Sequence, residues 1–130
     1  MSYKQVIAAV AMSAIAGLAL AQSVSFLAPL DGATVTSPFK VQFAVNGMAV
    51  KPAGAVEANS GHHHLLINAA SLKAGEPVPF DAQHLHFGKA QTEAEVTLAP
   101  GNYVLTMQFA NGAHQSYGEP MSASIKVTVK

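Results

Sequence analysis

Apolar and polar residues alternate along much of this chain. Phe39, Val41, Phe43 and Val45 alternate with Lys40, Gln42, Ala44 and Asn46. Ala94, Val96 and Leu98 alternate with Glu93, Glu95 and Thr97. Tyr103, Leu105, Met107 and Phe109 form a third such run, and Ile125, Val127 and Val129 a fourth. A period of two marks strands with one buried face. Ser23 to Leu27, Gly61 to Asn68, and Ala33 to Thr36 are shorter strand candidates.

Turn chemistry separates these runs. Pro29-Leu30-Asp31-Gly32 punctuates the first strand, and Pro38 starts the next, where a missing amide is tolerated. Pro100-Gly101-Asn102 joins two strong strands and predicts a hairpin between them. Residues 47–60 and 69–83 are rich in Ala, Gly and Pro and read as loops, with one short helical turn near Ala69 to Lys73. Six or seven strands with turns between them predict an all-β fold, a small antiparallel β-sandwich. The run from Pro29 to Pro38 resembles the opening of many immunoglobulin-like bacterial domains, so an immunoglobulin-like architecture is the expectation.

The first residues break the pattern. Lys4 precedes an uninterrupted apolar and small-residue run, Val6 to Leu20, and Ala19-Leu20-Ala21 offers a small-x-small exit. This order describes a secretory signal peptide, residues 1–21, and the run is short for a membrane span of about 20 residues. Residues 22–130 are then a single domain, periplasmic or secreted, with no stable membrane insertion once the signal is cut. The absence of Arg leaves no twin-arginine signal, so export follows a Sec-type route and any metal is acquired outside the cytoplasm.

Composition narrows the chemistry further. Seven basic residues balance seven acidic ones in 130, which gives no cationic footprint for nucleic acid. With no Cys there are no disulfides, thiolate metal sites or thiol nucleophiles. No Gly-x-Ser-x-Gly, His-Glu-x-x-His or phosphate loop is present, so the sequence offers only thin support for catalysis.

Histidine is what remains, and the six are clustered. His62, His63 and His64 open one strand, and His84-Leu85-His86 follows about twenty residues later. In a strand, residues i and i+2 share a face. His62 and His64 therefore project together with His63 opposed, and His84 projects with His86 while Leu85 and Phe87 turn to the core. Two such pairs on neighbouring strands supply four neutral nitrogens, which suits a copper or zinc ion. His62, His64, His84 and His86 are the first candidates for ligands. His114 is next, as a fifth ligand or a partner to one, followed by His63 and by Met48, whose thioether would favour Cu(I). Gln91, Thr92 and Glu93 follow the second pair and are candidates to orient its imidazoles or to line a ligand pocket.

The stretches SFLAPLDGATVTSPFKVQFAVNGM, SGHHHLLIN and DAQHLHFGKAQTEAEVTLAPGNYVLTMQFA, with the closing KVTVK, resemble the short exported bacterial proteins of domain-of-unknown-function family forty-three ninety-nine. The resemblance puts His62, His63, His64, His84, His86, Gly88, Gln91, Thr92 and Glu93 in the family's signature segments, and His114 in its late histidine-bearing loop. It implies an exported β-domain centred on histidines and implies no reaction. Two positions depart from its pattern: Ala90 stands where the family often has Gly, and Asn68 where it often has Asp.

These residues predict a transition-metal-binding protein acting as carrier, buffer or sensor, with the metal ion and a periplasmic protein as candidate partners. A metal-free binding module for a cell-envelope ligand or partner protein is the alternative. A metal-dependent enzyme ranks third.

Overall fold

A computed structural model describes residues 21–130, so the expected signal peptide lies outside the described residues except for Ala21. Among the described residues, no helix is long and apolar enough to cross a membrane. Nine strands follow in order: β1 (Ser23–Ala28), β2 (Ala33–Val35), β3 (Phe39–Asn46), β4 (Ala49–Val50), β5 (Ser60–Ile67), β6 (His84–His86), β7 (Glu93–Val96), β8 (Gly101–Ala110) and β9 (Ser122–Val129).

The strands form two sheets. The smaller has the order β1-β3-β7 and is antiparallel. The larger has the order β2-β9-β8-β5-β4, with β6 also paired to β5. β8 and β9 pair antiparallel from Gly101↔Val129 to Gln108↔Ser122, and β5 pairs antiparallel with β8 from His62↔Ala110 to Ile67↔Leu105.

The alternating apolar residues account for this sandwich. Val24, Phe39, Val41, Phe43 and Val96 from the small sheet meet Leu65, Leu105, Met107, Phe109, Ile125 and Val127 from the large one in a single buried cluster. Each such side chain contributes about 1.5–3 kcal/mol when fully buried. The positions between them face outward. On the large sheet this outer face carries His62, His64 and Leu66 of β5 beside Ala110, Gln108 and Thr106 of β8.

Three local expectations are corrected. The strands flanking Pro100-Gly101 do not form a hairpin: β7 pairs with β3 in the small sheet, whereas β8 lies between β5 and β9 in the large one. The chain changes layers there. Leu98 N donates to Ser37 Oγ at 3.0 Å and the Tyr103 hydroxyl donates to Ala99 O at 2.7 Å, which fixes the corner. Residues 69–73 form no helical turn. They run as a strap over the large sheet, because Leu72 N donates to the buried Gln108 side chain and Leu72 O accepts from Ser116 Oγ. Within the expected loop 47–60, Ala49 and Val50 pair parallel with Ser60 and Gly61 as β4.

Candidate metal centre

Strand β5 sets the site. Its alternation sends His62 and His64 to the outer face and His63 into the core. All three are essentially without solvent contact, His64 at 1% exposure. Strand β6 adds His86 directly opposite His64, in the register His64↔His86. The loop after β8 folds back to bring His114 over the same face. The rings of His62 and His64 lie 4.7 Å apart, those of His62 and His86 5.1 Å, and those of His86 and His114 4.5 Å. One potential ligand atom from each of His62, His64, His86 and His114 falls within 4.8 Å of all the others.

The donor chemistry matches a single ion. With metal–nitrogen bonds of about 2.0–2.1 Å, tetrahedral ligands stand roughly 3.3 Å apart. His62 Nε2 and His114 Nδ1 already lie 3.1 Å apart. Closing the widest pair asks for a shift of at most about 1.5 Å, within reach of imidazole rotation.

The nitrogens also lack other work. His62 Nδ1, both ring nitrogens of His64, and His86 Nε2 are buried with no hydrogen-bond partner. Buried polar groups are nearly always paired, so orphaned nitrogens on three neighbouring rings, His62, His64 and His86, ask for a ligand. Burial, reinforced by the neighbouring His114 and His86, lowers the His62 pKa to about 4. Burial likewise lowers His64 to about 3, with His62, His86 and His114 adding to the effect and the Gln108 backbone opposing it weakly. His86 is lowered too, by burial and by His114. These imidazoles are therefore neutral at pH 7 and present lone pairs without first losing a proton.

Small residues make the room. A Cβ on Gly88 would run into the His86 ring, 2.5 Å from its Nε2. Asn111 shapes the loop that carries His114. Its side-chain carbonyl accepts from Ala113 N at 2.9 Å and from Gln115 N at 3.1 Å, and its amide donates to Gln115 Oε1 at 3.0 Å. His114 itself sits at φ 63, in the left-handed region. Phe80 is 71% exposed, yet its ring packs edge-on against His86 and His114 at 5.5 and 5.3 Å.

The other sequence candidates lie elsewhere. His84 shares the outer face, opposite Leu66, but its Nδ1 engages Asp81 Oδ1 at 2.6 Å. His63 is inside the sandwich, stacked on Phe43 at 4.9 Å and edge-on to Phe109 at 5.0 Å. Its Nδ1 lies 3.0 Å from the Met107 sulfur, and burial, helped by His62, lowers its pKa to about 4. Met48 packs against the hydrophobic core. Gln91 accepts from Lys89 N, and Thr92 O accepts from Phe43 N in the small sheet. Glu93 accepts from Gln42 Nε2 at 3.1 Å and pairs with Lys40 at 3.6 Å, on the exposed face of that sheet. Gln91, Thr92 and Glu93 thus do not share a pocket with the four-histidine group.

Phe80, Asn111 and Asp81 were not singled out from the sequence. Asp81 carries a readable signal, because an acid three residues before a His can bond it. The roles of Phe80 and Asn111 arise from loops folding back across the sheet, which no local spacing encodes. Two surface grooves lie apart from the four histidines, one lined by Asn102, Val104, Lys126 and Thr128 and the other by Ser71, Val104, Thr106 and Ser124, with Asn68 common to both and no acidic residue in either.

The fold and site define an all-β sandwich with four converging histidines on one sheet face. The chain belongs to the family described as Domain of unknown function (DUF4399), whose model matches residues 41–130. No curated protein and no solved structure matches it. Ala90 stands at φ 62, a left-handed conformation that Gly adopts without steric cost. Asn68, at φ 53, occupies its position through a pair of bonds: its Oδ1 accepts from Val104 N and its N donates to Val104 O, both at 2.8 Å.

Proposed function

We propose that this chain is an exported transition-metal-binding protein that holds one copper or zinc ion through His62, His64, His86 and His114. The observation that carries the reading is the convergence of four imidazoles, one potential ligand atom from each within 4.8 Å of the others, three of them with buried, unpartnered nitrogens. An all-imidazole set suits copper and zinc, and lacks the carboxylates expected for calcium or magnesium.

Four protein donors support a carrier or buffer better than an enzyme. Catalytic zinc keeps a coordination position open for water or substrate, whereas closed sites use four protein ligands. The acids flanking the second His pair are engaged elsewhere, Asp81 with His84 and Glu93 with Lys40 and Gln42. The group of converging side chains contains no carboxylate to act as a general base on a metal-bound water. The amino-terminal pattern supports export to the periplasm or beyond, where such a protein would receive its ion.

Calorimetric titration of metal-free, untagged protein with Zn(II) and Cu(II) tests the proposal. One ion per chain is expected, with binding lost in His62→Ala and His64→Ala. If micromolar ions give neither heat nor a rise in melting temperature, the proposal fails.

A further inference from the structure

The four histidines are not held alike. His62 and His64 belong to β5, which is bonded on one side to β8 and on the other to β4 and β6. His86 lies on β6, in register with His64. The backbone of these three moves only if the sheet moves. His114 instead sits on a loop, in a left-handed conformation that side-chain-bearing residues adopt uncommonly. Its backbone is held by its N donating to Asn111 O and its O accepting from Val78 N, at 2.9 and 2.8 Å.

The outer side of the site is built from this loop and one other. Gly75 N donates to Ser116 O, and Ser116 N donates to Glu76 O, both at 2.8 Å. Residues 75–80 are thereby laced to residues 111–116, and the exposed Phe80 ring rests against His114 and His86. On the inner side the sheet and the core close every approach, since His62 and His64 are buried and His63 fills the space behind them.

We propose that His114 is the exchange ligand of this site. The ion arrives and departs on the Phe80 side while His62, His64 and His86 keep hold, and Asn111 is the positioning residue that sets how readily His114 lets go. This inference rests on the metal-binding reading above and adds a direction and an order to it. The step is a ligand substitution. The bond from the metal to His114 breaks as a bond forms to a nitrogen, sulfur or carboxylate donor of the accepting chelator, and no electrons are transferred. Asn111 has no atom in the site. It acts by fixing the turn through Ala113, His114 and Gln115.

Co(II) is the probe, because its visible absorption reports coordination geometry. Untagged protein is loaded with one equivalent, its spectrum is recorded, and loss of Co(II) to excess EDTA is timed. Wild type is expected to show an intense four-nitrogen spectrum and slow release. His114→Ala should still bind one Co(II), with a weaker spectrum as water takes the fourth place and with faster release. Asn111→Ala should keep the four-nitrogen spectrum but release Co(II) about 10–100-fold faster, the range for residues that orient a metal ligand. Asn111→Asp retains the carbonyl-type acceptor for Ala113 and Gln115 and should recover much of the wild-type lifetime. The inference is overturned if His114→Ala loses Co(II) as completely as His62→Ala does. It is also overturned if Asn111→Ala releases Co(II) at the wild-type rate. Either result leaves the metal-binding reading standing, whereas failure of wild type to bind Co(II), Zn(II) or Cu(II) removes both.

Discussion

Replacing His64 by Leu should make the metal-free protein more stable and the metal-loaded protein less so. His64 is 1% exposed, and neither of its ring nitrogens has a partner. A buried polar group left unsatisfied costs about 1–3 kcal/mol. Leu is of comparable size, removes both orphaned nitrogens and adds apolar contact beside Leu66. Imperfect repacking costs up to about 1.5 kcal/mol in such exchanges. The net expectation is a gain of up to about 3 kcal/mol for the apoprotein. For a domain of this size each kcal/mol moves the melting temperature by roughly 4 °C. With Zn(II) at about 100 times its dissociation constant, wild type gains about 2.7 kcal/mol and the variant, lacking a ligand, gains little. The order of stability should therefore invert. Thermal unfolding followed by circular dichroism, in EDTA and then in excess Zn(II), measures both arms. The reasoning is refuted if His64→Leu melts below wild type in EDTA, or if it gains as much from Zn(II) as wild type does. Inversion would mean that the sequence keeps a destabilising residue for a purpose other than folding.

Three further outcomes follow from the same structure. Gly88→Ala places a methyl group against the His86 ring and should weaken Zn(II) binding about 10–100-fold, read by competition with a chromophoric chelator, with little change in the apoprotein melt. Ala90→Gly relieves a left-handed Ala and should stabilise the fold by about 1 kcal/mol in urea unfolding, without altering metal affinity. Apoprotein stability should be flat above pH 6.5, the unfolded value for His. It should fall as pH drops towards about 4 for His62 and His63 and about 3 for His64, by up to about 1.4 kcal/mol per pH unit for each, because the unfolded chain takes up protons that the folded one resists. Urea midpoints at a series of pH values check this, and a flat profile between pH 6.5 and 4.5 contradicts it.

Much of the fold was legible from the period-two runs. Phe39–Asn46, Gly101–Ala110 and Ser122–Val129 are strands where alternation places them, and His62 and His64 share a face for the same reason. The sheet switch between β7 and β8 was not legible. A Pro-Gly-Asn connection looks the same whether the chain turns back in one sheet or crosses to the other, and only the partners of β3 and β5 decide it. The site followed suit. Three of its four histidines came from His-x-His spacing. Sequence ranked His84 ahead of His114, but spacing could not show that Asp81 engages His84, or that Asn111 turns His114 back over the sheet.

The most direct test is long-range proton–nitrogen NMR of all six histidine rings in untagged protein, before and after one equivalent of Zn(II). The account predicts that His62, His64, His86 and His114 each acquire one nitrogen shifted to the metal-bound position, while His63 and His84 keep their apoprotein signals. Unchanged spectra, or metal shifts appearing at His63 or His84 in place of these four, would contradict it.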